Sequence, residues 1–244
     1  MGHPIERPLM FNPHLQVQTL ELAQGIEVHV IDNVLAEPRR WVAMAAEHRA
    51  AFQRLPHNAY PGVELHLPDG ITAQLQQCFD RLIRSRLDAR RCLEAYTRLA
   101  LVTDAPAQLQ PRQWICHRDR LQARPGESVA ASVLYLFEDP SLGGTRFFHA
   151  LRPESETARL IHDSGQLAPE AFTERHGFAP GYLRDSGKWF ETVGTVAPRF
   201  NRVIFYDGMQ FHCSDIPHPE RLSADPAHGR LTLNGFFTCR RRAS

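Results

Sequence analysis

The sequence of 244 residues has little cysteine, no excess of either charge and no long apolar run, and each shortage removes a class of protein. Cys78, Cys92, Cys116, Cys213 and Cys239 form an odd set without a Cys-x-x-Cys pair. That argues against a disulfide framework and a structural zinc knuckle, and leaves reduced thiols. Lys plus Arg at 28 against Asp plus Glu at 27 gives a net charge of +1, so no basic field exists to capture nucleic acid. Met1 to Met10 carries prolines and charges where a signal peptide needs an apolar core, so no membrane role and a cytoplasmic location are expected. Two motifs are incomplete. His117-Arg118-Asp119 spells the start of a kinase catalytic loop, but the position five after the Asp is Arg124 instead of Asn, and no glycine-rich phosphate loop accompanies it. Gly126-Glu127-Ser128-Val129-Ala130 lacks the last glycine of a nucleophile elbow.

With 43% hydrophobic residues the chain is long enough to bury a sizeable core, and one domain over 1–244 is expected. Residues 1–95 form strands and supporting helices in this reading, and 96–240 a strand-rich core. Ile26, Val28 and Val30 alternate with polar neighbours, as in a strand ending at a turn near Asp32 or Asn33. Pro38 to Phe52 has helical spacing, with proline where a first turn tolerates it. The Pro- and Gly-rich stretch from Asn58 to Asp69 is expected to be a loop, and Ile71 to Leu87 carries the apolar stripe of a second amphipathic helix. Strand patterns follow at Thr97–Thr103, Val129–Phe137, Thr145–Phe148, Val193–Val196, Arg202–Tyr206 and Leu231–Thr238. Such a run reads as a β-sandwich or barrel with the two helices covering one face. Between them lies an insert, 150–191, with one helical fragment near Thr157–His162, either a lid or a surface decoration.

Three groups of residues carry chemistry. His117 and Asp119 stand two apart on an extended segment and so point to the same side, where both can reach one metal. Alone the pair means little, since 13 His and 12 Asp produce about 0.6 such spacings by chance. Asn201 to Asp207 is a strand ending in a turn that delivers His212, a third ligand from a distant strand. Two imidazoles and one carboxylate leave open positions on iron, and zinc could use the same donors with a bound water for hydrolysis. In Arg230-Leu231-Thr232-Leu233-Asn234-Gly235-Phe236-Phe237 alternation puts Arg230 and Thr232 on one face, where a guanidinium fork and a hydroxyl match a carboxylate. Strand alternation turns Cys116 away from His117, which makes it a packing residue.

Taken in order, His117-x-Asp119, Leu134-Tyr135-Leu136 to Gly143-Gly144-Thr145-Arg146-Phe147-Phe148, Asn201 to His212 and Arg230-x-Thr232 resemble the iron(II)- and 2-oxoglutarate-dependent dioxygenases, in the prolyl 4-hydroxylase-like branch. The resemblance runs from about Arg98 to Cys239. It implies a mainly β, α+β fold: a double-stranded β-helix, or jelly-roll, with the N-terminal helices packed on one sheet. It further implies that His117, Asp119 and His212 ligate Fe(II), that Arg230 binds the distal carboxylate of 2-oxoglutarate with help from Thr232, and that Tyr135 faces the same pocket if strand register allows. A carboxylate at Asp119, where related halogenases have Gly or Ala, favours hydroxylation with O2. The implied substrate is an amino acid, a peptide or another small molecule. Two departures stand out: the long Pro-rich connection from Cys213 to Gly229, and the 150–191 insert. Other readings of the same residues are a jelly-roll that binds without turnover and a zinc-dependent hydrolase.

Overall fold

The computed structural model describes residues 11–55, 59–120 and 124–241. The N-terminal Met1–Met10 segment and Asn58, the start of the expected loop, lie outside them. Strands β1 (Gln18–Glu21) and β2 (Glu27–Ile31) lead to helix α1 (Pro38–Glu47), strand β3 (Gly62–His66), helix α2 (Asp69–Leu82) and the long strand β4 (Ala89–Val102). Next come β5 (Glu127–Tyr135), β6 (Thr145–Ala150), α3 (Glu154–Gln166), α4 (Pro169–His176), β7 (Phe190–Val196), β8 (Arg202–Asp207), β9 (Phe211–Ser214) and β10 (Arg230–Arg241).

The strands form two antiparallel sheets, one in the order β1-β2-β8-β5-β10-β4-β3 and one in the order β7-β6-β9. His117 and His212 exchange two backbone hydrogen bonds of 3.0 Å, which adds the segment before β5 to the smaller sheet beside β9. From β4 onward the chain therefore passes between layers in the jelly-roll manner, with β8-β5-β10-β4 facing β7-β6-β9 and the His117 segment. The fold is mainly β, with four α-helices among the described residues, as the resemblance implies.

Parity along each strand divides the core. Leu134 on β5 and Leu136 just after it, Leu231 and Leu233 on β10, and Leu99 and Leu101 on β4 turn toward α1 and α2, where Trp41, Met44, Ile71, Leu75 and Phe79 close the first layer. Phe79 stacks on Phe237 with ring centres 4.2 Å apart. The opposite parity, including Tyr135, Phe137, Ile204 and Tyr206, meets Phe147 and Val196 of the smaller sheet. A third cluster packs α3 and α4 of the insert against the outer side of that sheet through Leu160, Phe172, Phe148 and Phe190.

Three stretches depart from expectation. The 58–69 loop contains strand β3, because Val63 and Leu65 alternate with Glu64 and pair along β4. Its Gly62 serves close approach, since a Cβ there would fall 2.1 Å from the Leu101 carbonyl oxygen. The second helix stops at Leu82 and a 3-10 turn carries the chain to Asp88, which takes φ +52° to reverse into β4. The helical fragment of the insert is two helices. No helix among the described residues is long and apolar enough to cross a membrane.

Candidate metal centre and carboxylate pocket

His117 and Asp119 reach the gap between the sheets because their extended segment is pinned at both ends, His117 to His212 and the Asp119 amide to the Gly208 carbonyl at 2.8 Å. Cys116 points the other way into the third cluster, where burial raises its thiol well above the usual range. Asp119 Oδ1 lies 3.5 Å from His212 Nε2 and 3.9 Å from His117 Nε2. The three donors all fall within 4.8 Å of one another. Two donors sharing an ion at ~2.1 Å sit roughly 3.0–3.4 Å apart, so a small contraction would suit a metal.

The electrostatics suit one as well. His212 Nδ1 lies 2.8 Å from the Gln210 carbonyl, a bond that keeps its proton there and turns the Nε2 lone pair inward. Burial and the neighbouring His212 push His117 down to about 3, which leaves a neutral imidazole, although a third of its side chain stays open to solvent. Burial opposes charge on His212, but Asp119 and the Gln210 carbonyl outweigh it and raise the imidazole. Burial likewise opposes the Asp119 carboxylate, and His212, His117 and Arg98 overcome it, so its pKa is lowered. Asp119 Oδ2 is buried with no hydrogen-bond partner, an orphaned acceptor that a cation would satisfy. Gly208 makes room for this carboxylate, since a Cβ there would lie 2.8 Å from Asp119 Oδ2.

The same small cavity, about 50 Å3, reaches Tyr60, Arg230 and Thr232 at its other end. Arg230 is 2% exposed; it donates from Nε to the Gly143 carbonyl at 3.0 Å and from Nη2 to the Gly144 carbonyl at 2.6 Å. Two glycines are required there, because a Cβ on Gly143 or Gly144 would fall within 2 Å of the Asp215 or Val196 carbonyl oxygen. Among the described residues no carboxylate lies within 4.0 Å of this guanidinium, a buried charge without a counter-ion. Thr232 contacts the Ala100 carbonyl at 3.4 Å and shares the cavity with the Tyr60 phenol, which burial pushes up to about 12 against the pull of Arg230 and Arg98. Two further arginines of the inner strands are engaged elsewhere, Arg146 with Asp215 and Arg202 with Asp32.

Tyr135 sits opposite Thr232 in register and on the inner face, but it is fully buried beneath the cavity and meets the Thr145 hydroxyl at 2.8 Å. It backs the wall and does not line it. Sequence reasoning missed Tyr60, Arg98 and Asn234, which all line the cavity. For Asn234 the signal was present, since it shares the parity of Arg230 and Thr232. Tyr60 sits before a strand that the Pro and Gly content hid.

Several solved structures are similar to the chain at low identity. HygX from Streptomyces hygroscopicus, with nickel and 2-oxoglutarate bound, is 14% identical at TM-score 0.47, over 87% of this chain and 82% of that one. The non-heme alpha ketoglutarate dependent epimerase SnoN from nogalamycin biosynthesis is 12% identical at TM-score 0.46, over 88% and 81%. A prolyl 4-hydroxylase structure from Phytophthora capsici is 14% identical at TM-score 0.42, over 87% of this chain, which spans only 58% of that protein's length. No curated protein matches the chain in sequence. Residues 13–237 match the model of a family of unknown function, DUF6445, and the chain belongs to that family.

Proposed function

We propose that this chain is an iron(II)- and 2-oxoglutarate-dependent oxygenase that hydroxylates an amino-acid, peptide or other small-molecule substrate. One observation carries the reading: a two-histidine, one-carboxylate face and a buried, counter-ion-free arginine open into the same cavity. A hydrolytic zinc site needs the first feature and has no use for the second. A bifunctional acid with a metal-binding keto-acid end and a distal carboxylate uses both.

In this reading His117, Asp119 and His212 hold the iron on one side and leave its remaining positions toward the cavity. Bound there, iron would supply activation of O2 at the expense of 2-oxoglutarate, which leaves as succinate and carbon dioxide. Arg230, with the Thr232 and Tyr60 hydroxyls, holds the distal carboxylate and so fixes the cosubstrate's orientation. The Phe147 and Tyr206 rings, centred 6.2 and 4.7 Å from the His212 ring, keep water from that ligand's flank.

Anaerobic titration of the metal-free protein with Fe(II) and then 2-oxoglutarate tests this. A weak visible charge-transfer band, lost in Asp119→Ala and needing at least tenfold more 2-oxoglutarate in Arg230→Ala, is the expected result. No band at saturating ligand, or tightly retained zinc with no response to iron, overturns it.

A further inference from the structure

Two residues past Thr232 on β10 and opposite it on β4, the cavity wall holds two polar side-chain atoms with no partner among the described residues. Asn234 is 6% exposed and lines the cavity, yet its Oδ1 has no hydrogen-bond partner among the described residues. Its cross-strand partner on β4 is Arg98, which lines the same cavity. Arg98 Nη1 is tied to Glu64 Oε1 at 2.6 Å, so its charge is neutralised, but its Nε is buried without a partner. An orphaned acceptor and an orphaned donor thus stand on paired residues of neighbouring strands, and each is costly if left dry.

Beyond them the wall turns aromatic. The Arg98 guanidinium lies 4.9 Å from the Phe236 ring centre, Phe236 stacks on Tyr96 at 4.6 Å, and Tyr96 is 43% exposed. Arg98 and Phe236 line the cavity, and Tyr96 continues this polar-then-flat surface outward to solvent.

We propose that Asn234 and Arg98 form the polar end of a substrate subsite that takes an uncharged amide, with the flat or apolar remainder of the substrate lying along Phe236 and Tyr96. An amide presents its acceptor and its donor on separate atoms of one plane, matching the Arg98 Nε–H and the Asn234 Oδ1. A carboxylate would set its charge against the Asn234 oxygen, and the Glu64 pairing leaves no net positive charge to compensate. A hydroxyl carries both functions on one atom and cannot reach both partners as well. Peptide bonds and primary carboxamides share this chemistry. The inference rests on the oxygenase reading for its claim that the ligand is the substrate, and not for its claim of amide selectivity.

The test is ligand-observed NMR titration of wild-type protein, metal-free and with 2-oxoglutarate present to occupy Arg230. The probes are phenylacetamide, N-benzylacetamide, phenylacetate and 2-phenylethanol. Fragments of this size bind with Kd near 1 mM at best-case efficiencies well below the ceiling for tiny ligands. At least one amide is expected to bind tenfold or more tighter than phenylacetate and 2-phenylethanol, the two amides separating a carboxamide from a peptide-like source. Asn234→Leu is expected to lose that preference while holding 2-oxoglutarate within threefold of wild type. Equal binding of all four probes to wild-type protein overturns the inference whether or not the variant folds, as does amide preference retained in Asn234→Leu. Amide preference without 2-oxoglutarate binding overturns the oxygenase reading alone, and 2-oxoglutarate binding without amide preference overturns this inference alone.

Discussion

A buried guanidinium with no counter-ion among the described residues is expected to make the protein respond to dicarboxylates even without metal. Arg230 satisfies part of its hydrogen bonding on the Gly143 and Gly144 carbonyls, but its charge stays unpaired. The effective penalty for such a charge is several kcal/mol. An anion that binds only the folded state adds RT ln(1 + [L]/Kd), about 2.7 kcal/mol at a hundredfold excess over Kd. For a chain of this length each kcal/mol moves the melting midpoint by about 2–4 °C, so saturating succinate or 2-oxoglutarate is expected to raise Tm by roughly 5–10 °C. The assay is thermal unfolding of chelator-treated protein, with sodium chloride and succinamide at matched concentration as controls for ionic strength and excluded solute. Arg230→Met is expected to unfold at a lower temperature, because two buried carbonyls lose their donor, and to show no dicarboxylate response. Arg230→Lys is expected to recover little, since one ammonium cannot reproduce a fork shared between two carbonyls and a carboxylate. Equal shifts with succinate and succinamide, or an undiminished succinate shift in Arg230→Met, would refute the assignment of the anion site to Arg230.

Two further outcomes follow from the metal face. Gly208→Ala would put a methyl 2.8 Å from Asp119 Oδ2 and 2.9 Å from Val129 Cγ1, so the carboxylate must move. Fe(II) affinity, read by competition with a chromophoric chelator, is expected to fall at least tenfold while stability drops by only about 1–3 kcal/mol; unchanged affinity would remove Asp119 from the ligand set. Because Asp119 raises the His212 pKa, that imidazole holds its proton to a higher pH than an ordinary histidine, and the metal must displace it. Metal affinity is therefore expected to rise with pH through the neutral region and level off above the raised His212 pKa. In the metal-free protein the sign reverses, since stability from the His212–Asp119 pair is complete below the unfolded histidine pKa and is lost as pH rises through the folded one. A pH-independent Fe(II) Kd between pH 6 and 8 would contradict a protonated His212.

What the sequence revealed and what it hid have the same physical cause. Strands β5, β8 and β10 bury a different layer on each face, so they read as near-continuous runs of strand-forming residues that mark them from the sequence alone. The three donors of the candidate metal face were legible because two of them share one side of an extended segment and the third follows a strand end. Strand β3 was not legible, because its Gly62 answers to a close approach to Leu101, a tertiary demand with no local pattern. The first half of β4 was hidden by Arg90, Arg91 and Glu94, which face solvent. Arg98 sits in a stretch recognised as a strand, yet only its partner Glu64 on the unrecognised β3 explains how its charge is carried inward. Asn234 differs, because parity alone sufficed: with Arg230 and Thr232 assigned to the cavity, positions 234 and 236 of the same strand had to face it too. One strand thus carries Arg230 and Thr232 of the proposed carboxylate anchor, the orphaned Asn234 amide and the Phe236 ring at successive inward positions about 7 Å apart. If the proposed assignments hold, a cosubstrate and a substrate would be ordered along β10 and read by the same strand. A register slip of one residue would remove all four side chains from the cavity at once, and the near-continuous pairing of β10 with both β4 and β5 opposes it.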